Sequence, residues 1–204
     1  MMAGMSVQSI YMLVDTAFIG HWVGGNALAA LGYVFPIFFI ILGITFGLGT
    51  GVTTVIAQYI GAEDKNSADN SAEHSILIAS ILGLFILVGG YIFGKQILEL
   101  QGASGQVLDY ALAYYPIMLV GSVFMVFAVF FRSILSGEGD NRMPMIVLGI
   151  GTIINIILDP IFIHYYAIKG AALATMISQI IVCLIFIYRM FFKKHSYITF
   201  SLKD

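Results

Sequence analysis

Six long stretches of apolar residues dominate this chain and restrict it to one kind of fold. An α-helix rises about 1.5 Å per residue, so about 20 apolar residues cross the roughly 30 Å hydrocarbon core of a bilayer. Short polar segments separate the six stretches. They cover residues 2–22, 28–58, 73–94, 108–132, 143–163 and 168–191.

Charged residues are too few to cover the surface of a soluble domain. Only 10% of the 204 residues are charged and 60% are hydrophobic, whereas a soluble domain carries about 25% charged residues. The net charge of -2 argues against a nucleic-acid partner, which requires a basic face. The single cysteine, Cys183, excludes an intrachain disulfide framework and a cysteine-cluster zinc site. The composition indicates a polytopic membrane protein.

The apolar stretches predict helices because they are continuous, whereas strands of a membrane barrel alternate and are about 10 residues long. The fold class is therefore all-α, a polytopic bundle of six transmembrane helices over residues 1–191. With a cytoplasmic N-terminus, the inside would hold seven of the basic residues and the outside two. This bias predicts that both termini face the cytoplasm and that residues 192–204 form a cytoplasmic tail. The outer pair is Lys95 and Lys169.

Glycines and tyrosines suggest how the helices pack. Small residues spaced by four let helix backbones approach closely in lipid, which predicts packing faces at two sets of glycines. These are Gly43, Gly47 and Gly51 in the second stretch, and Gly90 and Gly94 in the third. Pro36 and Pro160 each remove a backbone hydrogen bond within a stretch and favour kinks. An outer interfacial belt is expected at Tyr110, Tyr114, Tyr115, Tyr165 and Tyr166.

Two acids lie inside apolar stretches, where a charge costs on the order of 2.5–3.5 kcal/mol at the bilayer centre. They are Asp15 and Asp159. Other polar residues lie on the same helix face as each aspartate. Gln8 and Tyr11 precede Asp15 by two turns and one turn. Asn155 precedes Asp159 by one turn.

Oxygen atoms without a neighbouring cation suit a proton or a hard cation such as Na⁺. No Lys or Arg stands in the middle of a stretch, and the last stretch adds the pair Thr175 and Gln179. An aspartate in low dielectric is costly to ionise, so either one could exchange a proton or hold Na⁺. The alternative is that both only form hydrogen bonds between helices, at roughly 0.6 kcal/mol per contact.

Four segments resemble those of MATE transporters, the multidrug and toxic compound extrusion family. Residues 11–20 (YMLVDTAFIG) resemble the family's first helix, and residues 132–144 (RSILSGEGDNRMP) its loop between helices four and five. Residues 155–163 (NIILDPIFI) and 170–175 (GAALAT) resemble its fifth and sixth helices. Together these segments fit the family's spacing over nearly the whole chain.

The resemblance implies a twelve-helix fold of two six-helix lobes that open alternately to the two sides of the membrane. This chain is similar to the N-terminal lobe. Its first helix is expected to be truncated at the N-terminus. As an alternative to a tail, residues 192–204 would be the start of an inter-lobe linker. The implied activity is Na⁺- or H⁺-coupled antiport of organic, often cationic, compounds across the plasma membrane. The implied cation or proton site comprises Asp15, Asn155, Asp159 and Thr175, with Gln8 and Tyr11 in the substrate cavity. The expected partners are small organic molecules, membrane lipid and a second six-helix lobe; no enzymatic activity and no cofactor is expected.

Three alternatives stay open. The chain could be an incomplete or regulatory half-transporter without activity alone, or a lipid or polysaccharide flippase of the same superfamily. Residues 137–140 (GEGD) also resemble the GxGD motif of intramembrane aspartyl proteases. Against a protease, Asp140 lies in a predicted loop among Glu138, Asn141 and Arg142, where it would not meet Asp15 or Asp159.

Overall fold

The computed structural model describes residues 19–20, 22–192 and 198. These residues contain five long helices, each long and apolar enough to cross a bilayer. They are α1 (Gly25–Gly61), α2 (Lys65–Leu100), α3 (Gly105–Gly137), α4 (Arg142–Tyr166) and α5 (Ile168–Phe192). They correspond to the second through sixth apolar stretches, which confirms an all-α membrane bundle. The first stretch lies outside the described residues except for its last few, so the count of six helices stays a prediction.

The helices extend beyond the apolar stretches because their polar ends carry their own stabilising contacts. At the start of α2, the Asp64 carboxylate accepts hydrogen bonds from the Ser67 backbone N–H at 3.1 Å and from its hydroxyl at 2.6 Å. Lys65 forms an ion pair with Asp69 at 2.8 Å, one turn into the helix. Both bonds from Ser67 lower the pKa of Asp64 below its ordinary 3.8. The cap is therefore complete at neutral pH and is lost as the pH falls through the lowered pKa.

Helix α3 forms the centre of the bundle and packs against α1, α2 and α5, while α5 also packs along α4. We call the end with the α1–α2 and α3–α4 turns the inner end and the opposite one the outer end, following the predicted orientation. One hydrophobic cluster extends from the outer end, around Tyr114 and Leu119, along the bundle to Phe130. A second cluster fills the inner end around Ile134 and Phe186.

Helix α2 lies at the edge of the bundle and turns large apolar side chains outward. It packs only against α1 and α3 among the described helices. Its exposed residues include Leu77, Ile81, Leu84, Phe85 and Tyr91. An apolar face of this size is unfavourable in water but is matched by lipid chains. This helix therefore presents a lipid-facing surface.

One of the two predicted glycine faces forms a contact between described helices, and packing at the other stays a prediction. A Cβ on Gly90 or Gly94 would lie within 3 Å of Leu119 or Tyr115, so α2 and α3 do approach through these glycines. Gly43, Gly47 and Gly51, in contrast, are exposed, and a Cβ added to any of them would meet no atom within 4 Å. The glycine of α1 that packs is Gly49, which faces Ser133 and Val129 of α3. The four-residue spacing identifies a face of α1 but not the direction in which that face points.

The expected tyrosine belt is wrong for two of its members. Tyr114 and Tyr115 are 1% and 3% exposed. Tyr115 is buried because Gly90 and Gly94 leave room for its ring between α2 and α3. The Tyr115 hydroxyl donates a hydrogen bond to the Gly90 carbonyl at 3.2 Å. Tyr165 is exposed at the end of α4 and remains compatible with an interfacial position.

Three helices contain an internal proline. Pro36 lies inside α1 and Pro160 inside α4, as the sequence predicts, and Pro116, which the sequence pattern did not single out, lies inside α3. Each helix continues through its proline. The kinks expected at Pro36 and Pro160 stay predictions.

Candidate cation-binding site

Buried polar side chains meet between α4 and α5, near the outer end of the bundle. Asp159 is 0% exposed, Asn155 is 2% exposed and Thr175 is 6% exposed. Asp159 lies seven residues before the end of α4, and Thr175 lies seven residues after the start of α5. Both are therefore about 10 Å from the outer end along their helices. The fold brings three residues of the predicted site together, with Asn155 one turn deeper than Asp159 on α4.

Asn155 connects the other two residues. In the orientation that gives each amide atom a partner of opposite kind, its Nδ2 donates to Asp159 Oδ2 at 3.0 Å, and its Oδ1 accepts from the Thr175 backbone N–H at 3.3 Å. In the reverse orientation, Nδ2 lies 3.4 Å from both Asp159 Oδ1 and Thr175 Oγ1. The first orientation is more favourable because its contacts are shorter and both amide atoms are satisfied.

A very tight hairpin holds the two helices close enough for these short side chains to meet. Ala167 alone connects α4 to α5, and its φ of 51° lies in the left-handed region that favours glycine. A Cβ on Gly170 would come within 2.0 Å of the Phe162 carbonyl oxygen, so only glycine fits there without a shift of backbone. Farther along, Gly151 of α4 faces Val182 of α5. These contacts determine the spacing of the helices on both sides of Asn155 and Asp159.

Oxygen and amide groups supply the chemistry of this site. No Lys or Arg occurs in the sequence between Arg142 and Lys169, so α4 itself brings no cation to the level of Asp159. Ser178, also buried, donates its hydroxyl to the Ala174 carbonyl at 2.8 Å. The proton of its hydroxyl is thus used within α5. A carboxylate and a threonine hydroxyl are ligands of the type that Na⁺ accepts, and the carboxylate can also take a proton.

The remaining predicted site residues, Gln8, Tyr11 and Asp15, lie outside the described residues. The described part therefore brings together Asn155, Asp159 and Thr175 and leaves the first-helix half of the site as a prediction.

Comparison with known proteins identifies the family. The MatE family model matches residues 1–161. This chain belongs to the MatE family. The chain is 31% identical over 195 residues to the probable multidrug resistance protein YoeA of Bacillus subtilis, covering 93% of this chain and 42% of that protein. It is 31% identical over 206 residues to the multidrug export protein MepA of Staphylococcus saprophyticus, covering 99% of this chain and 45% of that protein.

Solved MATE structures are similar to this chain in fold as well as in sequence. An outward-facing multidrug resistance MATE transporter of the MOP superfamily matches with a TM-score of 0.95 and 38% identity, covering 100% of this chain and 46% of that one. The chain thus spans about half the length of the relatives it matches and resembles one lobe of a MATE transporter. A multi-pass membrane location follows from this membership and from the apolar helices.

Within the MatE chain, two glycines that position the site were missed by sequence reasoning. Gly170 stood out only as part of a family motif, and Gly151 did not stand out at all. The spacing of Gly151 and Gly170 matches no helix-packing motif, because the two glycines contact different residues at different positions along the helices. The one available signal was the run of small residues at 170–172 and Ala174, which is typical of a close helix contact in lipid.

The protease-like motif has a structural role in this MatE chain. The Asp140 carboxylate accepts hydrogen bonds from the Arg142 and Met143 backbone N–H groups, each at 3.1 Å, and so caps the start of α4. Asp140 precedes Asp159 by 19 residues, which is roughly 28 Å along a helix. The two carboxylates therefore do not share a site.

Proposed function

We propose that this chain forms one lobe of a cation-coupled multidrug efflux transporter and that Asp159 binds the coupling ion. The observation that carries the proposal is the fully buried Asp159 carboxylate within a cluster of amide and hydroxyl groups in a MATE fold. Two relatives are named as multidrug proteins, one of them an exporter, which supports organic compounds as the transported substrates. An ionised side chain at this position needs a reason, because burial of a charge in a membrane is costly.

In this proposal Asn155, Asp159 and Thr175 have different roles. The Asp159 carboxylate and the Thr175 hydroxyl provide oxygen atoms for Na⁺, or the carboxylate takes the proton. Asn155 holds the ionised carboxylate in position by donating an N–H to it and by bonding to the Thr175 backbone. Asp15 on the first helix would add a second carboxylate, with Gln8 and Tyr11 lining the adjacent substrate cavity.

Coupling then follows from the charge of the site. A bound cation or proton neutralises the aspartates and favours one packing of the first helix against α4 and α5. The organic substrate is bound in the other state, so each ligand changes the affinity for the other by the same factor. Binding near the outer end gives the ion a short path to the external solution in the predicted orientation, with both termini in the cytoplasm and the lobe in the plasma membrane.

A second lobe completes the transporter in this proposal. The exposed glycines of α1, Gly43, Gly47 and Gly51, support it, because they leave recesses between larger exposed residues such as Ile40 and Ile44. Thr50 and Thr54 donate hydrogen bonds to the carbonyls of Phe46 and Thr50, both at 2.9 Å, so their hydroxyl protons are satisfied within α1. Small residues at these positions permit close contact with other helices. The lobe that packs there would be a C-terminal half or a second copy of this chain.

The position of Arg132 gives no support to a flippase, which would need cations in the middle of the membrane to bind anionic headgroups. Arg132 lies inside α3 rather than at its end, with its guanidinium carbon 5.8 Å from the centroid of the Phe46 ring. It is five residues from the inner end of α3, or about 7.5 Å along the helix. This depth is that of the membrane interface, so Arg132 does not supply a mid-membrane anion site.

The transport proposal is tested by efflux of a fluorescent cationic dye. Cells would express the chain alone, or together with the C-terminal lobe of a MATE relative, and the dye would be followed under imposed Na⁺ and H⁺ gradients. We expect efflux in at least one arrangement and its loss in Asp159→Asn, with the variant still inserted in the membrane. The matched control is Asp109→Asn, an exposed acid near the start of α3. Absence of efflux in both arrangements, or full efflux by Asp159→Asn, would contradict the proposal.

A further inference from the structure

A residue beyond the last helix returns to the inner end of the bundle. Ile198 follows the end of α5 by six residues and is only 2% exposed. It belongs to the inner hydrophobic cluster together with Ile56 of α1, Leu135 of α3 and Val147 of α4. Because all four other described helices contribute to this cluster, Ile198 is attached to the lobe and not to α5 alone.

A polar contact fixes the same residue from its backbone side. The Ile198 N–H donates a hydrogen bond to Glu138 Oε1 at 2.9 Å, across 60 residues of sequence. Glu138 is the C-cap of α3 and is followed by Gly139, whose φ of 89° suits glycine. Asp140 then caps α4. Glu138 therefore lies at the short turn between α3 and α4, and both helices hold this turn in place.

We infer that Ile198 and Glu138 form an anchor that fastens the chain after α5 to the inner end of this lobe. The side chain of Ile198 is removed from water by the inner cluster, and its N–H is paired with a carboxylate, so both parts of the residue favour the docked position. The occupant of this position is Ile198 of the chain itself. Neither contact involves the candidate cation site.

The anchor matters for the connection between lobes, an extension that rests on the proposed function. If residues 192–204 lead to a second lobe, the anchor holds Ile198 at this lobe, so the distance to the second lobe is spanned from Ile198 and not from Phe192. A shorter free linker restricts the distance that the second lobe can reach and raises its local concentration at the exposed face of α1. Loss of the anchor would lengthen the linker without changing either lobe.

Hydrogen–deuterium exchange resolved to single residues tests the anchor in the complete 204-residue chain in detergent. We expect the Ile198 amide to exchange at least about tenfold more slowly than in a free peptide of the same sequence, because opening must precede exchange. Glu138→Ala removes the acceptor and Ile198→Ala removes the buried side chain. Each should accelerate exchange of this amide about tenfold, the effect of losing one charge-assisted bond or a comparable apolar contact.

Controls separate the anchor from the fold and from transport. Glu138→Gln keeps an oxygen acceptor and should retain intermediate protection, and Glu63→Ala removes an exposed acid from the other inner turn and should change nothing. Amides of α3 should remain protected in every variant. Free-peptide exchange in the wild type, or protection that survives either alanine substitution, overturns the anchor. Because exchange does not depend on transport, the anchor and the proposed function can fail separately.

Discussion

At the scale of single residues, the candidate site depends on an amide that joins a carboxylate to a neighbouring helix. Asn155 and Asp159 could be found from the sequence because a polar pair one turn apart is conspicuous in an apolar stretch. Thr175 was placed beside them only through a family resemblance. Its approach requires the pairing of α4 with α5 in one register, which no local pattern specifies. The orientation of the amide depends on those same contacts.

Replacement of Asn155 by alanine should weaken the site without removing its charge. The Asp159 carboxylate would lose an N–H donor and the Thr175 N–H an acceptor, at a cost of about 1 to 3 kcal/mol. Unfolding in a mixed-micelle titration measures this loss of stability. Asn70→Ala, at an exposed position of α2, is the matched control and should change stability little. Equal stability of Asn155→Ala and the wild type would show that the amide does not hold the two helices together.

At the scale of secondary structure, the sequence predicted where helices occur far better than which faces they bury. Hydropathy locates α1 to α5 because each must satisfy its own backbone in lipid. It starts α2 too late, at residue 73 instead of Lys65, because a capped polar turn is helical without being apolar. The direction of a helix face depends on distant partners, which explains why Gly49 packs while Gly47 is exposed, and why Tyr115 is buried.

The α4–α5 hairpin gives a prediction at this scale. Gly170→Ala should destabilise the lobe by about 1 to 3 kcal/mol or more, because its Cβ collides with the backbone at Phe162 and the helices must shift. The matched control is Gly149→Ala on α4, whose Cβ would have no neighbour within 4 Å. That variant should be neutral or stabilising by up to about 1 kcal/mol through helix propensity. The same micelle titration compares them, and equal behaviour of the two variants would disprove the proposed close contact.

At the scale of the whole molecule, the described helices present two different outer surfaces. The face of α2 carries large apolar residues that suit lipid, whereas the exposed side of α1 also carries Gly43, Gly47 and Gly51 among its apolar residues. In the proposed transporter a second lobe needs a contact surface on this one, and the α1 face is our candidate. The sequence identified these glycines as a packing face without indicating which helices contact it.

Assembly provides the test of that surface. Gly47→Leu should leave the lobe folded, since a Cβ at this position meets no atom within 4 Å, but should obstruct a second lobe. Gly89→Leu adds the same bulk to α2, also without a neighbour within 4 Å, and is the matched control. Dye efflux by the assembled transporter should fall severalfold in Gly47→Leu and should not change in Gly89→Leu. Equal efflux by the two variants would exclude the α1 face as the contact between lobes.

Ligand-dependent stability of the purified chain measures whether Asp159 binds the coupling cation, without any need for transport. Thermal unfolding would be followed over a range of Na⁺ concentrations at fixed pH, and over a range of pH without Na⁺. A ligand that binds only the folded state stabilises it by RT ln(1 + [L]/Kd), about 2.7 kcal/mol at 100 times Kd. We expect stabilisation by Na⁺ or by protons in the wild type and in Asp109→Asn, and its loss in Asp159→Asn. An unfolding temperature that responds to neither ion, or that responds equally in Asp159→Asn, would show that Asp159 is not the ligand of the coupling ion.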